Sequence, residues 1–449
     1  MKEFKRYYQL SLLFDYFITL SIFIFVTLVR YGEVNSNRFN NILVFSFVMV
    51  FFFMTFRIYS IERNTKFNEL LVFTAIANLF STTFLALIYF YFLKINFARF
   101  VFFTSILLDT LAVPTFHLVF TRVLKAHITP EKVLIVGANK KGKKIVETLM
   151  RRGNLYAQEI AGFIDDRVEG NFEGYRILGK RSEIEDVVKR NDIDEVVLTT
   201  RIPQRYQLLL ERLDERGVRI VDMDALYERL EEQIPIEYID KTAFWHEFSF
   251  QTKAINNDFL KRFFDIVFSL ISITILFPLF LFIIIGIKIS SRGPVIYKQR
   301  RVGLNGKVFT IYKFRSMKAN AEANGAQWAK ARDPRITTFG RFIRPTRLDE
   351  LPQLFNILKG DMSLVGPRPE RPEFVEGLKN KIPYYAQRFK VKPGLTGWAQ
   401  IKYKYDETLE DVKNKLGYDL YYIKYGSLLF DLKIILYTVE IVLFRRGAH

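Results

Sequence analysis

The chain has 449 residues, too many for one ordinary core and enough for two or three domains. Half of it is hydrophobic, with 45 Phe and 23 Tyr, yet a quarter is charged and the net charge is +19; this mixture joins membrane segments to soluble ones and favours anionic partners such as lipid headgroups or nucleotides. With no cysteine and only four scattered histidines, disulfides and Cys-ligated zinc are excluded, and a His metal cluster or a Ser-His-Asp triad is not expected.

Apolar runs at about 11–29, 41–59, 70–93 and 98–120 fill the first quarter. Each is near the ~20 residues a helix needs to cross about 30 Å of hydrocarbon. No small-residue cleavage site follows the first run, so it reads as a span and not as a signal peptide. Residues 1–125 are therefore expected to form a four-helix transmembrane domain. Lys2, Lys5 and Arg6 precede it, and Arg122, Lys125 and Lys132 follow it, which puts both ends in the cytoplasm. Asp15 and Asp109 lie inside these runs and are expected to face neighbouring helices or water near a span end.

Beyond 130 the pattern changes. Val133–Gly137, Ala161–Asp165, Glu195–Thr199 and Gly217–Val221 read as strands with helices between them, a Rossmann-like parallel α/β domain over 131–230. The turn Gly137-Ala-Asn-Lys-Lys-Gly142 suggests phosphate binding but lacks the middle glycine of the dinucleotide fingerprint. Both a degenerate, non-binding domain and a nucleotide site remain open at this point. A polar-aromatic connector follows over 231–258.

The apolar run of about 263–287 carries Pro278 and cationic flanks. A full fifth span would carry the basic C-terminal third outside, away from nucleotides. Pro278 forces a kink, and the arm from Phe263 to Phe277 rises only ~22 Å, too short to cross. A re-entrant helix broken at Pro278 fits better. Ser427 to Phe444 contains Asp431, Lys433 and Glu440 and reads as an amphipathic interfacial helix over 427–444, with Arg445 and Arg446 as headgroup anchors.

The densest chemical signal is Arg344-Pro-Thr-Arg-Leu-Asp-Glu-Leu-Pro352, followed by Gly366-Pro-Arg-Pro369. Lys298-Gln-Arg-Arg-Val-Gly303, Lys313-Phe-Arg-Ser-Met317 and Asp333–Arg341 precede it. Arg301, Lys313, Arg315 and Arg347 are read as a shell around phosphates, because arginine forks match phosphate oxygens and glycines admit backbone amides. The adjacent carboxylates Asp349 and Glu350 repel, so a cation is expected nearby. An oxygen-ligated Mg²⁺ shared with substrate phosphates is the natural one. The two side chains cannot point the same way on a helix, so one can act as nucleophile and the other as metal ligand. Nucleic acid is not an expected partner, because no recognition motif accompanies the charge.

Residues 259–449 resemble the bacterial sugar transferase family, the polyprenyl-phosphate hexose-1-phosphate transferases, also called monotopic phosphoglycosyl transferases. The resemblance rests on the proline-bearing apolar run, the basic clusters above, Thr346–Gln353, Lys359–Pro369 and Lys392-Pro-Gly-Leu-Thr-Gly-Trp-Ala-Gln400. Four spans and a Rossmann-like domain ahead of it resemble the large-form members. The resemblance implies a C-terminal α/β monotopic catalytic domain with a re-entrant membrane helix, at the bacterial inner membrane and facing the cytoplasm among its lipids. It implies that Asp349 attacks a UDP-sugar, that UMP leaves, and that the sugar phosphate passes to undecaprenyl phosphate to start exopolysaccharide, capsule or O-antigen units. Glu350 matches the Mg²⁺-binding partner, with Asp349 beside it. Arg368 matches a phosphate-contacting arginine, and Asp419 an acidic residue near the site. Large-form relatives suggest a homodimer. Where small members have Ser-Pro at the helix break, this chain has Phe277-Pro278. Where they carry Asn-Gly-Arg-Asn after Gln400, it has Ile401-Lys-Tyr-Lys-Tyr405, so Lys402 or Lys404 would stand in for the arginine. A membrane-anchored sugar-nucleotide dehydratase would need Tyr-x-x-x-Lys, and none of the 23 tyrosines has Lys four residues on.

Overall fold

A computed structural model of the protein describes residues 2–56, 58, 67–88, 99–127, 129–239, 259–318, 334–403 and 408–443. The chain forms two compact units, Met1–Met223 and Asp224–His449.

The first unit opens with α1 (Lys2–Tyr31), α2 (Ser36–Thr55), α3 (Phe67–Ile88) and α4 (Arg99–His127). Gln9–Tyr31, Ser36–Met54 and Phe100–Val123 are long and apolar enough to cross a membrane, and Leu70–Ala86 is a shorter apolar stretch. Ile42, Phe45, Met49 and Phe53 repeat at helical spacing and are buried, so α2 turns one stripe to its neighbours. The two acidic residues are buried as expected. Asp15 Oδ2 lies 2.9 Å from His117 Nε2, and Asp109 accepts a hydrogen bond from Thr19 at 3.0 Å.

The α/β part follows: β1 (Glu131–Val136), α5 (Lys140–Tyr156), β2 (Gln158–Ile164), β3 (Asn171–Phe172), β4 (Tyr175–Gly179), α6 (Ile184–Asn191), β5 (Glu195–Leu198), α7 (Gln207–Glu215) and β6 (Arg219–Asp222). The sheet order is β3-β4-β2-β1-β5-β6, and only the β3–β4 pair is antiparallel. Val133 to Val136 are all buried, the continuous apolar run of a strand covered on both faces. Strand order reverses between β1 and β5, where open α/β sheets place their ligand crevice.

Helix α8 (Met223–Glu231) leads into the second unit. The segment read as a connector starts differently from expectation. Ile234 belongs to the second unit's core, its N–H bonds Gly417 O at 3.0 Å, and Trp398 Nε1 donates to Glu232 O at 3.0 Å. Residues 232–239 are thus docked; 240–258 lie outside the described residues.

Helix α9 spans Phe259–Ser290 with Pro278 inside it. The break expected at Pro278 is not an unwound loop, because helical backbone continues through it. Proline removes one hydrogen bond and crowds the carbonyl four residues back, which bends a helix without ending it. Before Pro278, Arg262 donates to Ile357 O and Leu358 O at 2.6 and 2.8 Å. Asp265 accepts from Ser363 Oγ and Leu364 N, and Lys261 pairs with Asp431. After Pro278, Phe280, Ile283 and Ile287 pack with Phe314 and Ile343. Gly286 admits the Phe339 ring, which would lie 2.4 Å from an added Cβ.

An antiparallel hairpin, β7 (Ile296–Val302) and β8 (Val308–Phe314), comes next, then α10 (Gly340–Ile343) and α11 (Gln353–Lys359). β9 (Ser363–Val365) pairs in parallel with β10 (Gly394–Thr396). Gly394 is required there, since a Cβ would meet Gly366 N at 2.1 Å. The unit is completed by α12 (Pro372–Lys381), α13 (Trp398–Lys402), α14 (Leu409–Tyr425) and α15 (Leu428–Leu443). The last helix is not amphipathic in the sense expected. Asp431 is buried and also accepts from Tyr422 at 2.7 Å, Ile434 and Tyr437 join the core, and Lys433 pairs with Glu232. Asp431 and Lys433 tie it to the unit instead of marking a wet face. Arg445 and Arg446 lie outside the described residues.

Removing one partner of a buried ion pair strands the other charge. Lys261→Met is therefore expected to destabilise the second unit by about 3–5 kcal/mol. The double variant Lys261→Met/Asp431→Leu should recover most of that loss; denaturant unfolding in micelles measures both.

Candidate active site

Arg347 adopts the left-handed conformation at φ 53°, which turns the chain after α10 and starts a single 3-10 turn, Leu348–Glu350. This turn presents two consecutive carboxylates, both buried. Their surroundings differ. Glu350 Oε1 accepts from Lys313 Nζ at 2.8 Å and from Arg368 Nη2 at 3.0 Å. Burial would raise its pKa, but the Arg368 and Lys313 charges outweigh burial and hold it well below the usual carboxylate range. Asp349 has no hydrogen-bond or ion-pair partner among the described residues. Burial, and then the Glu350 charge, push it up to about 6. Neighbouring carboxylates with separated pKa values are suited to different roles.

The expected phosphate shell divides in two. Lys313 and Arg368 reach the acidic pair. The Arg347 guanidinium also faces it, and burial followed by the Arg368 charge lowers its pKa. Arg301 and Arg315 do other work. Arg301 donates to Pro369 O at 2.9 Å and to Gln299 Oε1 at 2.7 Å, so it supports the Pro-Arg-Pro loop. Arg315 follows the end of β8, is buried, and donates Nη2 to Ser291 O and Oγ at 2.8 and 2.9 Å. It fastens the exit of α9 and is not part of the shell. Asp419 is 2% exposed and pairs with Arg388 at 2.8 Å, so it is not positioned as a direct substrate ligand. Lys402, one of the two lysines expected to stand in for the family's arginine, pairs with Glu232 at 2.5 Å and lies over the Trp398 ring. Lys404 lies outside the described residues.

Two arginines escaped the sequence reading. Arg344 acts on Asp349 electrostatically and has a buried Nη1 without a hydrogen-bond partner. It stands three residues before Arg347 in the same stretch, so its position was legible. Arg388 gave no local signal, because its partners Arg368, Glu370 and Asp419 are remote in sequence. Among the described residues no cluster of three His, Cys, Asp or Glu forms a complete metal cage. Asp349 and the second oxygen of Glu350 suit a hard cation that takes its remaining ligands from phosphates.

The elevated Asp349 pKa sets a test without substrate or divalent cation. Infrared difference titration of the protein against Asp349→Asn should show one carboxyl ionising near pH 6 and absent from the variant; an Asp349 titrating near 4 contradicts the environment described.

Residues 256–445 match the family model described as bacterial sugar transferase, and residues 54–221 match one described as CoA-binding domain. A UDP-glucose:undecaprenyl-phosphate glucose-1-phosphate transferase of Xanthomonas campestris is 34% identical over 71% of this chain and 68% of its own length. An undecaprenyl-phosphate galactose phosphotransferase of Salmonella typhimurium is 32% identical over 80% and 78%. A UDP-N-acetylgalactosamine-undecaprenyl-phosphate N-acetylgalactosaminephosphotransferase of Aeromonas hydrophila is 47% identical over 42% of this chain and 45% of its length. Two amides of the first turn of the α/β crevice are already occupied. Ala138 N–H is taken by Asp165 Oδ2 at 2.8 Å and Gly142 N–H by Asn139 Oδ1 at 3.0 Å, while Thr199 Oγ1 would lie 2.4 Å from a Cβ on Gly137. The sugar transferase model spans the acidic turn, and the similarity to the Xanthomonas and Salmonella proteins covers more than two thirds of the chain, so this protein belongs to the bacterial sugar transferase family of membrane-associated transferases.

Proposed function

We propose that the second unit transfers a sugar 1-phosphate from a UDP-sugar to undecaprenyl phosphate, releases UMP, and passes through an aspartyl-phosphosugar intermediate on Asp349. The observation that carries this reading is the asymmetry of the acidic pair: Glu350 is held by two cations, and Asp349 has no hydrogen-bond or ion-pair partner among the described residues. A carboxylate oxygen of Asp349 attacks the β-phosphorus, the bond from that phosphorus to the bridging oxygen breaks, and UMP leaves with the electron pair. An oxygen of the lipid phosphate then attacks the same phosphorus, the acyl phosphate bond breaks, and the Asp349 carboxylate is restored. Arg344, Arg347 and Arg368 supply fixed positive charge where the equatorial oxygens gather charge. Asp349 and Glu350 would hold Mg²⁺, which when bound neutralises phosphate oxygens. The Xanthomonas and Aeromonas relatives are named for a UDP-sugar donor and all three for undecaprenyl phosphate; their sugars differ among glucose, galactose and N-acetylgalactosamine.

The reading places the unit on the cytoplasmic face of the inner membrane, with α9 re-entering the leaflet it left. Arg262 and Phe280 are 18 positions apart (280 − 262), or ~27 Å along a straight helix. Both meet the short helix α11 within three positions: Arg262 at Ile357 and Leu358, Phe280 at the Phe355 ring with centroids 6.3 Å apart. A bend at Pro278 brings the two arms to one side. The exposed Phe277, Leu281 and Phe282 at that bend would then lie in acyl chains. Initiation of exopolysaccharide, capsule or O-antigen units is the biological step this reaction would serve.

UMP release is the test, with protein in nanodiscs, undecaprenyl phosphate, Mg²⁺ and a panel of UDP-sugars. UMP is expected with one or two donors, should require Mg²⁺, and should fall by at least about 10³-fold in Asp349→Asn. Undiminished release by Asp349→Asn overturns the assignment.

A further inference from the structure

The loop that carries Arg368 has an unusual support. Pro367 and Pro369 flank Arg368 and have no N–H, so the loop offers few backbone donors for anchoring. Its carbonyls are held instead, four in a row. Pro367 O accepts from Gly394 N at 3.0 Å, Arg368 O from Arg388 Nη2 at 3.0 Å, Pro369 O from Arg301 Nη1 at 2.9 Å and Glu370 O from Val302 N at 2.9 Å. The Arg368 carbonyl is thus held by a side chain, that of Arg388.

Arg388 lies in the turn Tyr385–Lys390 and is 7% exposed. Its Nη1 donates to Tyr385 Oη at 2.9 Å. Asp419 lies 2.8 Å away and Glu370 3.6 Å away. Burial would lower the pKa of this guanidinium, but Tyr385, Asp419 and Glu370 outweigh burial and raise it. A buried arginine paired with two protein carboxylates and two protein oxygens is spent on the fold and is not offered to a ligand.

We propose that Arg388, with Asp419 as its counter-ion, is a positioning residue: by holding the Arg368 carbonyl it fixes where the Arg368 guanidinium meets Glu350. The proposal rests on the transfer reaction above and assigns Asp419 a task two contacts removed from the substrate. Arg388→Lys keeps the charge that Asp419 needs, but an ammonium lacks the planar fork that spans Asp419, Tyr385 and the carbonyl together.

Substitution of such a supporting group typically costs about 10–100-fold in activity. Arg388→Lys is expected to lower kcat/KM for UMP release by that factor in the otherwise unaltered protein. In an Arg368→Ala background it should cost nothing further, because the group it positions is gone. Costs that multiply in the double variant overturn the proposal. A second arm needs no turnover: a cryo-electron microscopy structure of Arg388→Lys in nanodiscs. Arg368 displaced from Glu350 supports the inference, and Arg368 unmoved at 3.0 Å overturns it. If the unaltered protein releases no UMP from any donor, the reaction assignment fails, and the structural arm still decides the role of Arg388.

Discussion

Two carboxylates on consecutive residues repel, and this fold resolves the repulsion by giving the close cationic contacts to one of them. Lys313 from β8 and Arg368 from the Pro-Arg-Pro loop both bind Glu350 Oε1. Glu350 is thereby ionised and fixed. Asp349 keeps the burial without the direct pairs, and its pKa rises. The rest of the unit maintains that asymmetry. β8 must be in register with β7 to present Lys313, and the crowded glycines Gly366 and Gly394 must let β9 and β10 approach so that the loop starts in the right place. Charge alone would not achieve it, since a basic surface attracts phosphate but does not distinguish neighbouring acids.

The same elements tie the site to α9, which is long and apolar enough to cross a membrane. Helix α11 starts three residues after Glu350 and receives α9 on both sides of Pro278: Arg262 caps its last carbonyls and Phe280 packs on Phe355. A shift of α9 would therefore be felt within one short helix of the acidic turn. The α/β part of the first unit follows a different logic. Asp165 and Asn139 accept from the Ala138 and Gly142 amides of its first turn, so those two donors are spent within the fold.

What the sequence made legible was local. Arg344 to Pro352 and Gly366 to Pro369 are continuous stretches, and their density of acid, base, Gly and Pro marked the site before any fold was known. The alternation of strands and helices after residue 130 gave the sheet. What stayed hidden depended on partners distant in the chain. Asp419 and Arg388 are 31 positions apart (419 − 388), and Glu232 meets Lys402 across 170 (402 − 232). Arg315 was grouped with Lys313 by charge and motif; β8 ends at Phe314, and the Arg315 side chain turns to Ser291, a partner that charge and spacing do not reveal. Asp431 and Lys433 looked like the wet face of an interfacial helix because periodicity cannot show that Lys261 and Glu232 are waiting inside.

The central claim is that Asp349, the unpartnered member of the pair, becomes covalently loaded before the lipid acts. Mass spectrometry of the intact protein and of the peptide containing Asp349, after exposure to the accepted UDP-sugar and Mg²⁺ without polyprenyl phosphate, tests it directly. The account predicts one sugar phosphate on Asp349, formed with one UMP and discharged when undecaprenyl phosphate is added. UMP that forms only when the lipid is present, with no loaded protein at any time, would contradict it.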